Sequence, residues 1–196
     1  VAAPAIGEIT AADGKITVPF TMVIGYDGAD SVSVDMKNAA GTVVATENYA
    51  KDAAEGVVTF TPAASGDYTF TITAARKDEA DKTGTDREFK GFELPLAKPS
   101  FQSATSQGGG KVSLVWDEVT EASSYEVSYS ENGTDFTQPV SVTGTEYVVS
   151  GLTVGKEYTF KLTAVRVLPA AVSEAATITA TVSYTHLRAH ETELHL

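Results

Sequence analysis

The chain has 196 residues, and its 26 acidic and 14 basic side chains give it a formal net charge of -12 at pH 7. This charge argues against nucleic acid and anionic membranes as partners, because phosphate groups need Lys and Arg opposite them. The absence of cysteine excludes a disulfide framework and thiol chemistry. No apolar run is long enough to span a bilayer, so we expect no membrane insertion.

The first half of the chain consists of short stretches in which apolar and polar residues alternate. Such alternation is typical of half-buried strands, and no convincing helical pattern accompanies it. After an opening strand within residues 1–12, the predicted strands cover residues 15–20, 32–36, 42–46, 57–61, 68–76 and 87–94. Pro19 predicts a bulge or an early break in its strand, because proline donates no N–H. Gly91 predicts a bulge in the last strand, residues 48–56 an irregular connection, and residues 77–86 a charged hairpin tip.

Residues 95–99 (PLAKP) predict a short and stiff linker, since two of the five are proline. The second half then repeats the plan of the first. Its predicted strands begin at Phe101 and continue at residues 111–116, 125–129, 147–149, 158–166 and 176–181. Asn132-Gly133 predicts a hairpin turn in which glycine supplies a positive φ. Thr134 completes a glycosylation sequon with them, but the turn explains this asparagine better.

One strand occurs twice almost unchanged. Residues 68–76 are YTFTITAAR, and residues 158–166 are YTFKLTAVR. Self-similarity of this kind indicates a tandem of one β module. We therefore predict an all-β protein with a first domain at residues 1–97 and a second at residues 98–181. The alignment of the two halves places Trp116 opposite Phe20 as large core residues.

The second module resembles the fibronectin type III family. The residues that carry the resemblance are Leu114, Trp116, Tyr125, Val127, Leu152, Gly155, Tyr158, Phe160, Leu162 and Ala164. The spacing from Leu152 to Tyr158 is similar to the family's tyrosine corner, although Val154 stands where the family usually has proline. The first module is similar to fibronectin type III or to a more general bacterial immunoglobulin-like domain. The resemblance implies two tandem seven-strand sandwiches without catalytic residues, used for adhesion or as spacers.

Residues 182–196 resemble the translation of a sequencing adapter rather than part of a gene. An adapter of transposase-based libraries encodes VSYTHLRAHET, which is the sequence of residues 182–192. We therefore predict a non-native tail and a natural chain that continues differently after Thr181. We expect the tail to make few contacts, apart from Val182 and Tyr184, whose alternation extends the last strand.

Four tail residues have the spacing of a zinc site. They are His186, His190, Glu191 and His195, and histidines at i and i+4 on a helix can hold one metal. If residues 182–196 are adapter translation, none of these four residues belongs to the natural protein. The remaining chain has neither His nor Cys, which excludes His-based triads and the common transition-metal sites.

Three aspartates in loops offer oxygen ligands of the kind that Ca²⁺ prefers: Asp13, Asp27 and Asp30. Their spacing is not that of an EF-hand, and acidic turns with glycine are common without metal. We therefore predict no metal and no cofactor.

Four aromatic residues are the candidate ligand contacts: Tyr26, Tyr49, Phe136 and Tyr147. They would stack on sugar rings if they clustered on one face. Scattered exposed aromatics are ordinary on β proteins, which is the alternative explanation.

The functional hypothesis is a non-catalytic extracellular spacer or accessory binding module of a larger bacterial exported or cell-surface protein. Its partners would be the neighbouring domains of that longer chain, since Val1 is not an initiator methionine. The alternative is an adhesion module that binds carbohydrate or a surface protein through its own loops or exposed aromatics. An enzyme is poorly supported, because no pair of carboxylates stands in a recognisable frame.

Overall fold

The computed structural model describes residues 3–22, 31–49, 55–76 and 79–184. Every regular secondary-structure element assigned in these ranges is a strand. None of the described residues forms a helix long and apolar enough to cross a membrane. The chain divides into two compact units, Val1–Pro95 and Leu96–Leu196. The all-β architecture predicted from the alternating pattern is therefore confirmed.

The first unit is a sandwich of two antiparallel sheets. Its described strands are β1 (Ala5–Ile6), β2 (Thr10–Ala12), β3 (Lys15–Thr21), β4 (Ser31–Asn38), β5 (Val43–Tyr49), β6 (Glu55–Phe60), β7 (Gly66–Ala75), β8 (Lys82–Thr83) and β9 (Arg87–Phe92). In one sheet, β3 pairs with β1 and β2 along one edge and with β6 along the other. The second sheet has the order β5-β4-β7, and β8 and β9 both pair with β7. Because β1 with β2 and β8 with β9 each act as one interrupted edge strand, seven strand positions result, as in an immunoglobulin-like sandwich.

The second unit repeats this topology. Its strands are β10 (Phe101–Gly108), β11 (Lys111–Trp116), β12 (Ser124–Ser130), β13 (Val140–Val142), β14 (Glu146–Val149), β15 (Glu157–Arg166), β16 (Ala171–Val172) and β17 (Ala176–Thr181). One sheet has the order β10-β11-β14. The other has the order β13-β12-β15, with β16 and β17 both paired to β15. The strand β15 contains the repeated sequence and occupies the same place in its sheet as β7.

Each unit has its own hydrophobic core between its sheets. Phe20, Phe60, Phe70 and Ile72 are among the buried residues of the first core, and Trp116, Leu114, Phe160 and Leu162 among those of the second. These residues recur at every second position of their strands, so the period-two pattern directs them to one face. Phe20 and Trp116 are each 1% exposed, which confirms both as core residues.

A tyrosine corner is present in both units. The hydroxyl of Tyr68 donates a hydrogen bond to the carbonyl oxygen of Ala64 at 2.7 Å. In the second unit, the Tyr158 hydroxyl accepts one from the backbone N–H of Thr153 at 3.2 Å. Both phenol groups therefore bond to the chain a few residues upstream, in the manner expected from the resemblance.

Of the bulge or early break predicted at Pro19, the break does not occur, and the irregularity lies in the edge strand opposite Pro19, where the register with β3 shifts by one residue between Ile6 and Thr10. The strand β3 continues through Pro19 to Thr21, and its register with β6 is uninterrupted. The Pro19 carbonyl accepts a hydrogen bond from the N–H of Gly7 at 2.8 Å. The N–H and C=O of one residue in an antiparallel strand point to the same side, so the position of the missing Pro19 N–H also faces the edge strand. The edge strand is interrupted instead, between β1 and β2, because Pro19 offers it no N–H to bond there.

Other predicted elements differ from the observed ones at their ends. The strand β5 continues to Tyr49, beyond the predicted end at residue 46, and the predicted hairpin tip contains the short strand β8. The bulge at Gly91 is confirmed, because the register of β7 with β9 shifts between Gly66 and Tyr68 and Gly91 has a φ of 69°.

The residues after β17 begin inside the second core. Val182 is fully buried; its carbonyl accepts a hydrogen bond from the Gly155 N–H and its own N–H donates to the Lys156 carbonyl. The N–H of Ser183 donates to the Ser106 hydroxyl at 2.9 Å, whereas Tyr184 is exposed. The predicted contact of Val182 is therefore confirmed, and the tail from residue 185 lies outside the described residues.

Candidate functional site

The candidate aromatic Tyr49 packs into the first core. It ends β5, it is half-buried, and its ring stands edge-to-face against Phe20 with ring centroids 5.1 Å apart. Gly56 on β6 leaves the space for this pair, since a Cβ atom there would lie 2.5 Å from the Phe20 ring and 2.9 Å from the Tyr49 ring. Tyr49 therefore contributes much of its ring to packing between the two sheets.

Tyr147 has a similar place in the second unit. It lies on β14 opposite the buried Leu114, so its side chain points to the same inner face. It is half-buried and packs against the second core. A role for Tyr49 and Tyr147 as ligand contacts requires open surfaces, and the pairing register turns both inwards instead.

Phe136 lies over the outer face of the five-stranded sheet of the second unit. It is half-buried, and the Lys161 ammonium stands 4.4 Å from its ring centroid, within the range of a cation–π contact. Ser128 and Ser130 on this face are buried although they point outwards. Phe136 and Tyr147 thus belong to opposite sheets and do not form one platform. Tyr26 lies outside the described residues.

The turn at Asn132 is built as the sequence predicts. The Asn132 side-chain oxygen accepts hydrogen bonds from the N–H groups of Thr134 and Asp135 at 3.0 and 2.9 Å. Gly133 has a φ of 77°. Lys156 and Glu131 form an exposed ion pair of 2.7 Å beside this turn, and the hydrogen bond with Glu131 raises the pKa of Lys156.

A metal site is absent from the described part of the chain, where no three His, Cys, Asp or Glu side chains come close enough to hold an ion. Asp13 is in a turn at positive φ, and Asp27 and Asp30 lie outside the described residues. The four tail residues with the spacing of a zinc site (His186, His190, Glu191 and His195) also lie outside them.

Two shallow grooves are described in the first unit. One has a volume of about 450 Å³ between β1 and the segment from Thr83 to Arg87, and the other about 330 Å³ between β2 and β9. Arg87 is the only charged residue lining the first, and Asp13 and Glu93 line the second. Neither groove gathers a set of convergent polar groups, which a binding pocket needs for orientation.

One end of the second unit presents an exposed apolar loop. Val167 and Leu168 are 62% and 86% exposed, directly after the buried Arg166 at the end of β15. The Arg166 guanidinium forms a 2.5 Å ion pair with Glu121, from the loop before β12, and donates to the Pro169 carbonyl at 2.8 Å. These bonds hold the loops 117–123 and 167–170 together, with the two apolar side chains at the tip.

Sequence reasoning missed this loop. Residues 158–166 are recognisable as a repeated strand, but the short apolar run after Arg166 forms no pattern of its own. The repeat gives no signal for it, because both copies end in arginine and only Arg166 is buried. Arg76 also forms an ion pair, with Glu79 at 3.3 Å, but this pair is local and exposed.

Comparison with known proteins agrees with this architecture. Residues 97–186 match the family of the fibronectin type III domain. Among solved structures, the chain is similar to a two fibronectin type III domain segment from chicken tenascin, with a TM-score of 0.53 and 16% sequence identity. The match covers 92% of this chain and 98% of that one. No curated protein sequence matches the chain.

The fold and these matches define the class of the protein. It is an all-β protein made of two immunoglobulin-like, fibronectin type III-like β-sandwiches in tandem. The second sandwich is the part that matches the fibronectin type III family by sequence. Domains of this family are generally non-catalytic binding or spacer modules, and the particular role of this chain is a matter of proposal.

Proposed function

We propose that the protein is a non-catalytic spacer or accessory binding module of a larger exported or cell-surface protein of a bacterium. One observation carries the proposal. The aromatic side chains that would have formed a ligand platform, Tyr49 and Tyr147, instead pack against two separate cores. Each sandwich thereby satisfies its own packing, which suits a module whose task is to hold other domains apart.

Pulling on single molecules tests the spacer role. A chain of two independent sandwiches should give two unfolding events, each adding about 30 nm of length for ninety-odd residues at 3.3–3.6 Å each. A parallel titration with simple sugars and oligosaccharides should give no binding heat. A single unfolding event would contradict the spacer role. Saturable binding of a saccharide that Tyr49→Ala or Tyr147→Ala abolishes would show that these rings bind a ligand and would replace the spacer role by carbohydrate adhesion.

The second candidate function is adhesion to a protein through loops, and a specific observation favours it. Val167 and Leu168 are consecutive large apolar residues, and both are strongly exposed in one loop of the second unit. Contiguous exposed apolar residues can mark an interaction site, and these two side chains are adjacent. If this loop binds a partner, Leu168→Asp should abolish retention on cells or matrix while leaving the unfolding temperature unchanged. Equal retention of the variant and the original chain would argue against the loop.

We further propose that residues 182–196 are adapter translation and have no part in either function. The identity of residues 182–192 with an adapter reading frame supports this. A chain shortened after Tyr184 should unfold at the same temperature as the full chain. A chain shortened after Thr181 should be less stable by about 1.5–3 kcal/mol, because it loses the buried Val182 side chain. A loss of stability on removing residues 185–196, or stoichiometric zinc binding, would show that the tail is functional.

A further inference from the structure

The sequence Asn132-Gly133 is chemically reactive. The asparagines of the chain are Asn38, Asn48 and Asn132, and only Asn132 precedes a glycine. Asparagine is a labile residue, and it reacts fastest before glycine, because glycine has no Cβ to shield its backbone nitrogen. In this reaction the Gly133 nitrogen attacks the side-chain carbonyl carbon of Asn132 and forms a five-membered imide.

The atoms of the reaction balance with water as the only co-reactant. The side-chain nitrogen of Asn132 leaves as ammonia and takes up the proton that the Gly133 nitrogen gives up. Water then opens the imide to aspartate or, through its other carbonyl, to isoaspartate. The net change replaces a neutral amide with a carboxyl group, which is charged at neutral pH.

The folded turn holds the exposed Asn132 side chain at both of its polar atoms. Its Oδ1 accepts hydrogen bonds from the backbone N–H groups of Thr134 and Asp135 at 3.0 and 2.9 Å. The hydroxyls of Thr134 and Ser130 donate to the same oxygen at 3.0 and 2.8 Å. Its Nδ2 donates to the Asp135 carboxylate at 2.6 Å. Ser130 is a buried residue of β12, so the amide is tied to the sheet.

These bonds oppose formation of the imide. The carbonyl carbon has to swing onto the Gly133 nitrogen, which takes Oδ1 away from the N–H groups of the next two residues. The leaving Nδ2 also has to part from the Asp135 carboxylate. Donors at Oδ1 polarise the carbonyl group, but polarisation helps only when the carbon reaches the nitrogen. Each hydrogen bond that must break therefore adds to the barrier, and the unfolded chain has none of them.

The product does not fit the turn that the asparagine builds. A carboxylate at position 132 has no N–H for the Asp135 carboxylate, so a 2.6 Å hydrogen bond becomes a contact between like charges. Isoaspartate adds a methylene group to the main chain as well. The turn connects β12 to β13, which pair directly, so a longer main chain disturbs the register between them.

We propose that Asn132 is a deamidation site that the native turn keeps closed and that opens when the second unit unfolds. The unfolded chain is converted at Asn132, and the new carboxyl group makes the second unit less stable when it folds again. The modification therefore records past unfolding of the second unit. The first unit has no Asn-Gly sequence and keeps no such record.

Incubation of the full chain in mildly alkaline buffer, with and without guanidinium chloride, tests the closed state. The tryptic peptide of residues 112–156 contains Asn132 and no other asparagine, so its mass reports conversion at this position alone. Conversion should be at least about tenfold slower in the native chain, the effect of about two ordinary hydrogen bonds. Equal rates in the native and unfolded chains overturn the proposal.

Two substitutions of Asp135 separate the bonds of the turn from the effect of the sequence. Asp135→Ala removes the acceptor of Nδ2, so the native chain should convert at least about threefold faster, whereas the unfolded rate stays the same. Asp135→Asn keeps an acceptor oxygen and should retain most of the protection. A native rate that Asp135→Ala leaves unchanged, or that both variants raise equally, shows that this contact does not close the site.

Refolding measures the consequence of the modification. Trp116 is buried in the second core, and its fluorescence reports the second unit. A chain converted in guanidinium chloride and then refolded should have a lower fluorescence midpoint than an unconverted chain. Asn132→Ser, which cannot form the imide, should lose nothing in the same treatment. A converted chain with an unchanged midpoint, or an equal loss in Asn132→Ser, overturns the claim that the modification weakens the unit.

Discussion

Phe20→Ala is the substitution that best tests whether the two sandwiches are independent. Phe20 is 1% exposed, and its ring contacts Tyr49 edge-to-face. Truncating a buried phenylalanine to alanine costs about 3–5 kcal/mol, because the transfer free energy is lost and a cavity remains. All residues of its core belong to the first unit, and those of the second core to the second.

The expected effect is large compared with the stability of one sandwich. A unit of this size has a total free energy of unfolding of roughly 5–14 kcal/mol at 0.05–0.15 kcal/mol per residue. Each kcal/mol lowers the unfolding temperature by about 4–8 °C in domains of 60–100 residues. The first unit of the variant should therefore unfold at least about 12 °C below its original temperature.

The single tryptophan makes the assay specific. Trp116 is buried in the second core, so its fluorescence reports the unfolding of the second unit alone, whereas circular dichroism reports both. In Phe20→Ala, the dichroism curve should gain an early transition while the fluorescence midpoint stays in place. Leu114→Ala, which keeps the tryptophan, should shift the fluorescence midpoint in its turn. A fluorescence midpoint that moves with Phe20→Ala by a similar amount would refute the independence of the cores.

Three further predictions concern local contacts. Glu121→Ala should destabilise the second unit by about 3 kcal/mol in chemical denaturation, because it leaves the buried Arg166 guanidinium without its carboxylate; Glu121→Gln should cost less. Glu131→Gln should lower the raised pKa of Lys156 towards its ordinary value in an NMR titration, and the stability from this pair should vanish as pH rises through the Lys156 pKa. Gly110→Ala should lower the unfolding temperature of the second unit, because its φ is 73° and the new Cβ would clash with the backbone oxygen of Leu152.

Strands that alternate strictly could be predicted from the sequence. The strands β11 and β17 occur at the predicted residues 111–116 and 176–181. Their alternation has a physical cause, since one face of each strand must be apolar to contact the core. The repeated sequence of β7 and β15 also predicted two equivalent sandwiches, because each copy is the central strand of its sheet.

Features that depend on pairing could not be predicted in the same way. The sequence of β5 does not alternate clearly, so it contains no indication that Tyr49 points inwards. Its direction follows from the pairing of Tyr49 with Val32, whose side chain is buried. Pro19 is tolerated for a related reason, because its missing donor faces the interruption between β1 and β2 rather than the continuous partner strand β6. Both outcomes depend on which strand lies beside which residue, and that is set by the whole sandwich.

The two copies of the repeated strand end in the same residue but use it differently. Arg166 is buried and binds a glutamate from a distant loop, so it fixes one end of the second unit and supports the exposed Val167 and Leu168. Arg76 is more exposed, and its described partner Glu79 is three residues away. The shared strand thus specifies the sandwich, whereas the contacts of its last arginine, and with them the exposed loop of the second unit, differ between the two units.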